Sequence, residues 1–293
     1  MSSFTDSSIA LYLAVFVGPF IQEDGAVFIA ASLFSQNPER YPLMFLIILF
    51  GLILSDIWKY WIGWYALKNA KVYSIINKEK IMDFIDKVQY PISYFDFETF
   101  TDAVPIYDMQ RPHMQMPFQY SLHLQNNKDE KLNIKDNHFE FIAKHDEDPR
   151  RSIAESIIKN FPKKGTIMAY NQSFEKSCIK SLAEFCPDLA EDLYALNERF
   201  VDLIEPFRNG GYYDSKFRGS FSIKKVLPAV CFNNKELDYK ELEISNGGMA
   251  SSAFKEMREQ SEDQIMHTRE KLFQYCRLDT YAMYAIYQKL MQL

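Results

Sequence analysis

The chain has 293 residues, 47% hydrophobic and 25% charged, with 33 Lys and Arg against 39 Asp and Glu for a net charge of −6. That length suits one large domain or two modest ones, and the composition is that of a globular protein, not a disordered or fibrous one. The negative balance excludes a global positive field for gripping a polyanion, so any nucleic-acid contact has to use a local basic patch or bound cations.

The first eighty-odd residues differ in texture from the rest. Residues 9–21 (IALYLAVFVGPFI) and 22–34 (QEDGAVFIAASLF) are apolar but broken by Gly18-Pro19 and Glu23-Asp24, the pattern of an interrupted or re-entrant hairpin. After the polar SQNPERYP, residues 43–54 (LMFLIILFGLIL) run into 55–67 (SDIWKYWIGWYAL). Joined, these approach the roughly 20 residues that span a bilayer. Trp58, Trp61 and Trp64 with Tyr60 and Tyr65 have the composition of an interfacial aromatic belt. The opening MSSFTDSS has no basic residue, which argues against a signal peptide. Lys59, Lys68, Lys71, Lys78 and Lys80 place the C-terminal remainder in the cytoplasm by the positive-inside rule, attached to the inner membrane through residues 9–67. The competing reading is a set of buried helices in a soluble protein. The expected division is 1–87, apolar and helical, and 88–293, a mixed α/β domain.

From residue 88 onward, YPISYFDFE and PFQYSLHLQ (117–125) read as strands, the second with alternating polarity, and HFEFIAK (138–144) as a third. DPRRSIAESIIKNF reads as a helix with Asp148 as N-cap, Pro149 at its first position, and Ile153, Ile157, Ile158 and Phe161 on one face. GTIMAY (165–170) is a fourth strand, followed by helical pattern through the 170s to 190s, and the chain ends in a long helix. Four cysteines, Cys178, Cys186, Cys231 and Cys276, include no CxxC pair and read as free thiols in a reducing compartment.

The strand YFDFETF (94–100) poses the central question, because it is apolar on both faces yet carries Asp96 and Glu98. Period-two geometry points both carboxylates the same way, about 7 Å apart along the chain, where they repel and lose hydration. Glu175 opens the helix after the fourth strand, four residues past Asn171, and Asp279 follows Tyr275 by one helical turn. Each element alone is commonplace. Their order is not: strand D-x-E, strand-to-helix N-x-x-F-E, then C-terminal helix Y-x-x-x-D.

That constellation resembles the DEDD superfamily of 3′–5′ exonucleases, in its Tyr-bearing branch. YFDFETF, PFQYSLH, DPR, YNQSFE, GSFSIKKVLP and YCRLDT together look like the bacterial family known as domain of unknown function 2779, over about residues 90–293. The resemblance implies a ribonuclease-H-like α/β sheet flanked by helices. It implies phosphodiester hydrolysis at two divalent cations, Mg²⁺ or Mn²⁺, about 4 Å apart. Asp96, Glu98, Glu175 and Asp279 would hold the ions and Tyr275 would orient the attacking water. Glu175 stands where the commoner pattern has Asp. Thr99 and Asn171 beside these acids, and Lys224 and Lys225 in DSKFRGSFSIKKVLP with Lys216 and Arg218, are the expected contacts to nucleic acid. Phe174 and Phe100 are candidates for base stacking or for the core, and Asp202 is a further acid near the site. A catalytically degenerate nucleic-acid-binding or scaffolding module is the alternative.

The N-terminal part resembles the first half of DedA-family membrane proteins, through Glu23-Asp24 in an apolar setting and D-x-x-x-Y-x-x-G at Asp56, Tyr60 and Gly63. The family's later spans and basic motif are absent from the chain. This implies a membrane tether or fusion remnant, with a membrane protein bearing a cytoplasmic regulatory domain as the other option.

Overall fold

The computed structural model describes residues 13, 15–20, 23–36, 41–69, 74–135, 137–232, 237, 239 and 242–293. Much of the apolar stretch at 9–22 therefore lies outside the described residues. The chain divides into two compact units between Lys71 and Val72.

In the first unit, residues 15–20 are helical, followed by α1 (Glu23–Gln36) and α2 (Tyr41–Asn69). Val15, Ala26, Ala30, Met44 and Ile48 form a small core. Close approach depends on Gly51, where a Cβ would come within 2.6 Å of the Phe16 carbonyl oxygen. Buried Ser55 donates its hydroxyl to the Pro19 carbonyl at 3.0 Å. The α2 helix is apolar all round: Phe45, Phe50, Trp58, Trp61 and Trp64 are all exposed. Pro42–Ala66 is long and apolar enough, by length and composition, to cross a membrane.

The second unit begins earlier than the sequence pattern places it. Strand β1 (Ser74–Ile76) pairs antiparallel with β7 (Tyr212–Asp214), and α3 (Lys78–Ile85) buries Ile81 and Phe84 in the main core. These contacts tie residues 74–85 to the α/β domain. Its remaining elements are β2 (Ile92–Phe100), β3 (Met116–Gln125), β4 (His138–Ile142), α4 (Pro149–Asn160), β5 (Thr166–Ala169), α5 (Ser173–Phe185), α6 (Ala190–Asn197), β6 (Phe200–Asp202), α7 (Glu205–Arg208), α8 (Ile223–Val230), α9 (Gly247–Glu256) and α10 (Glu262–Leu290). The α4 helix starts as its sequence indicates: Asp148 accepts from the Arg150 amide and Pro149 follows it.

The main sheet has the order β4-β3-β2-β5-β6. Its β2–β3 and β3–β4 pairs are antiparallel, and its β2–β5 and β5–β6 pairs are parallel. Pairing of β2 with β5 ends at Tyr94, so Asp96 and Glu98 lie beyond the parallel ladder, where β5 turns into α5. Both faces of β2 are covered. Phe95 and Phe97 pack with Ile153, Ile157, Ile179 and Leu182 of α4 and α5. The opposite face holds Tyr94, Asp96, Glu98 and Phe100 beneath α10. That helix runs back along the strand: Tyr287 and Tyr284 pack on Tyr94, the Cys276 thiol points at the Asp96 carbonyl (3.8 Å), and Leu272 and Tyr275 share a core with Phe100.

The alternating polarity of β3 has an unexpected destination. Gln119, Ser121, His123 and Gln125 are fully buried, and the stripe serves to dock α10. Gln119 donates to the Leu272 carbonyl (2.8 Å), while Ser121 and His123 both bond the Thr280 hydroxyl (2.7 and 2.8 Å). Thr280 adjoins Asp279, so these bonds fix the register at which α10 delivers its acid. Buried polar groups demand partners, and here the partners are a helix.

Burial holds His123 down to about 4, and burial, with His123 and Arg277 nearby, holds His138 down to about 3. The unfolded chain binds their protons near 6.5, so this contribution is complete above that pH and is lost as pH falls toward 3–4. Replacing His138 with Gln should remove about one proton's slope, ~1.4 kcal/mol per pH unit, from the stability profile between pH 4 and 6. Urea titrations of both proteins measure it. Parallel profiles would show that His138 takes up its proton in the folded state too.

Candidate functional site

Five side chains singled out by the sequence line one cavity of about 460 Å³: Asp96 and Glu98 from β2, Glu175 from α5, and Tyr275 and Asp279 from α10. Local structure aims each. A bulge shifts the β2–β3 register between Glu98, opposite Gln119, and Thr99, opposite Pro117. Pro117 has no amide to give the ladder, and a bulge re-aims the side chains beside it. After β5 the chain turns sharply through Asn171, which adopts a left-handed conformation (φ 72°). Asp202 clamps that turn by accepting from the amides of Asn171 (2.7 Å) and Gln172 (3.1 Å). Glu175 thus sits in the first turn of α5, where the helix dipole favours an anion.

The electrostatics are those of crowded, poorly hydrated acids. Glu98, Glu175 and Asp279 are only 5%, 3% and 7% exposed. Burial first, then repulsion from Asp279, Glu98 and Glu175, raises Asp96 well above the usual carboxylate range. Glu98 is raised well above that range too, by burial and then by Asp279. Burial pushes Glu175 up to about 8, and Asp202 adds to it. Asp279 reaches about 6, burial being partly offset by the Tyr239 hydrogen bond and by Lys224. The Tyr275 phenol is also raised, mainly by burial, and stays protonated at neutral pH.

Two groups that moderate this charge differ in how legible they are. Lys224, expected as a phosphate contact, faces the acids; its ammonium donates to the Ser245 carbonyl (2.5 Å) and lies over the rings of Tyr239 and Tyr275. Tyr239, whose hydroxyl donates to Asp279 at 2.5 Å, escapes sequence reading, because ELDYKELEI carries no pattern that marks it. Cys276 is the other omission. Its sulfur and one oxygen each of Asp96 and Glu98 lie within 4.8 Å of one another. Its position one residue past Tyr275 is the only signal.

The expected substrate contacts divide. Thr99 lines the cavity, its hydroxyl bonded to the Gln115 side chain (2.5 Å), and so do Lys224 and Phe174. Asn171 does not line it; its amide is held by Asp202 and its side-chain oxygen lies 3.5 Å from Arg208. Lys225, about 100° further round α8, is exposed and outside the cavity, as are Lys216 and Arg218. Phe100 belongs to the core, against Phe118 and Phe254. Asp202 is a structural clamp and does not line the cavity.

The donor set suits a hard divalent cation: carboxylate oxygens from three elements face one space. Among the described residues, the Oε2 of Glu175 is buried without a hydrogen-bond partner, an acceptor that a cation would satisfy.

Fold and cavity together define a mixed α/β protein with four carboxylates, three of them buried, lining one cavity on a face of its sheet. Residues 93–222 match the profile of a family described as Domain of unknown function (DUF2779). The chain is 28% identical over 206 residues to the Uncharacterized protein MG366 homolog of Mycoplasma pneumoniae, covering 66% of this chain and 31% of that protein. It is 26% identical over 253 residues to the Uncharacterized protein UU173 of Ureaplasma parvum, covering 76% and 34%. The chain thus spans about a third of the length of the curated relatives it matches. No solved structure matches it.

Proposed function

We propose that this protein is a metal-dependent 3′–5′ exonuclease that hydrolyses phosphodiester bonds of nucleic acid, with Asp96, Glu98, Glu175 and Asp279 holding two Mg²⁺ or Mn²⁺ ions. The observation that carries this reading is the meeting of four acids and Tyr275, from three separate elements, in one cavity. A five-stranded sheet, antiparallel on one side and parallel on the other with helices on both faces, supports the ribonuclease-H-like class. Bound ions supply a hydroxide nucleophile at neutral pH and stabilise charge on the leaving oxygen.

The protein's own groups do the rest. Tyr275, protonated and within reach of Asp279, orients a water through its hydroxyl and is not a base. Lys224 lines the cavity beside the acids and offers its ammonium to a phosphate oxygen. Thr99 with Gln115 forms a polar rim for the terminal sugar, and Phe174 with Tyr170 an apolar rim for its base. The 293-residue chain, given 5′-labelled single strands of DNA or RNA with Mn²⁺, should produce a ladder of progressively shorter 5′-labelled products. Strands that stay intact with every metal and both sugars would remove the exonuclease reading.

The surface of α2 favours a membrane tether for this domain, because apart from the face that packs Met44, Ile48 and Ser55 its apolar and aromatic side chains are exposed. Expressed in bacteria, the full chain should sediment with membranes and resist extraction by salt and alkaline carbonate. Recovery in the soluble fraction would leave α2 as an ordinary helix.

A further inference from the structure

A second cavity, about 440 Å³, lies on the other side of α10 from the carboxylate cage. Met283 lines the first cavity and its neighbour Tyr284 lines the second, so one helix wall separates them. Along that helix Tyr284 is only about 7.5 Å from Asp279. The second cavity presents Tyr281, Tyr284, Gln288 and Lys289 from α10, faced by Lys131 from the β3–β4 connection and by Phe232 just after α8.

The chemistry of this lining differs from that of the cage. Among the described residues, no carboxylate lines it, although the chain as a whole is acidic. Phe232 is 70% exposed, a conspicuous position for a large apolar ring, and the Lys216 ammonium sits 4.8 Å from its centroid. Tyr281 and Tyr284 stack at 5.7 Å, with the Tyr284 hydroxyl fixed by the Leu132 amide. An occupant must therefore be anionic and offer flat faces, with polar edges for Gln288. A partner protein's acidic segment would match the lysines but leave the aromatic shelf unexplained.

We propose that this cavity binds single-stranded nucleic acid upstream of the scissile end. A base stacks on Phe232 and Tyr281, and backbone phosphates lie against Lys131 and Lys289. This rests on the nuclease reading of the first cavity, and it gives the enzyme a hold on the strand that needs no metal.

The test uses the 293-residue chain and a fluorescein-labelled oligodeoxythymidine in EDTA, with anisotropy as the readout. Phe232→Ala, at an exposed position, should weaken binding about tenfold or more. The pair Lys131→Gln and Lys289→Gln should weaken it further and lower the slope of log affinity against log salt by about 0.7 per lost phosphate contact. Wild-type protein that binds no strand in EDTA overturns the proposal. So does binding that Phe232→Ala leaves unchanged, or that heparin reproduces with the same sensitivity. Failure of the first cavity reads out separately, as hydrolysis of bis(p-nitrophenyl) phosphate with Mn²⁺ that Asp96→Asn does not alter.

Discussion

Asp96→Asn should abolish phosphodiester hydrolysis, by about a thousandfold or more, while stabilising the metal-free protein. The first half follows because Asp96 sits at the centre of the cage, feeling Asp279, Glu98 and Glu175 together. Losing a ligand oxygen there forfeits several kcal/mol of charge stabilisation, and each 1.36 kcal/mol is about tenfold in rate. The second half follows from the same crowding. Asparagine keeps the shape and removes an ionisable group whose charged form burial and like neighbours both oppose, so folding no longer has to hold that group against its tendency to ionise. In EDTA its melting temperature should rise by roughly 2–8 °C, about 1–2 kcal/mol at this size. Opposite signs on activity and stability distinguish a functional site from a structural network, in which the same change would lower both. Hydrolysis assays and thermal melts on one preparation decide it; a variant that is both active and less stable would refute the role given to Asp96.

Divalent ions should stabilise the protein, and more so as pH rises. Glu175, pushed up to about 8, and Asp279, at about 6, hold protons in the folded state that the unfolded chain has already released near 4. Their contribution to metal-free stability is therefore present below pH 4 and is lost as pH climbs through 6 and then 8. A bound cation replaces those protons and cancels the loss. With Mn²⁺ at about a hundred times its dissociation constant the gain is near 2.7 kcal/mol, or about 5–10 °C. Melts at pH 6 and pH 8, with EDTA and with Mn²⁺, should show the metal increment growing between them. Glu175→Gln should flatten the metal-free profile above pH 6. An increment of the same size at both pH values would show that the ions bind away from these acids.

Much of the cage is legible from spacing alone. Period-two geometry places Asp96 and Glu98 on one side of a strand, and a four-residue interval stacks Tyr275 over Asp279 on a helix. Glu175 falls in a first helical turn because a strand and a sharp turn precede it. These are local rules, carried by each segment's own backbone.

What local rules leave open is which surface those side chains meet. The polar alternation of β3 is equally compatible with solvent, and only packing shows Gln119, Ser121 and His123 spent on holding α10. Lys224 and Lys225 are adjacent in sequence, yet one enters the cavity and the other faces water, since successive helical residues point about 100° apart. Tyr239 reaches Asp279 from forty positions away, a contact that loops and helix docking set and no spacing encodes. Sequence by itself determined which acids could act and in which direction each strand or helix presents them. The tertiary structure decided that they face a common space, because burial of the sheet under α10 brings together groups that repel one another and that no short-range preference would gather.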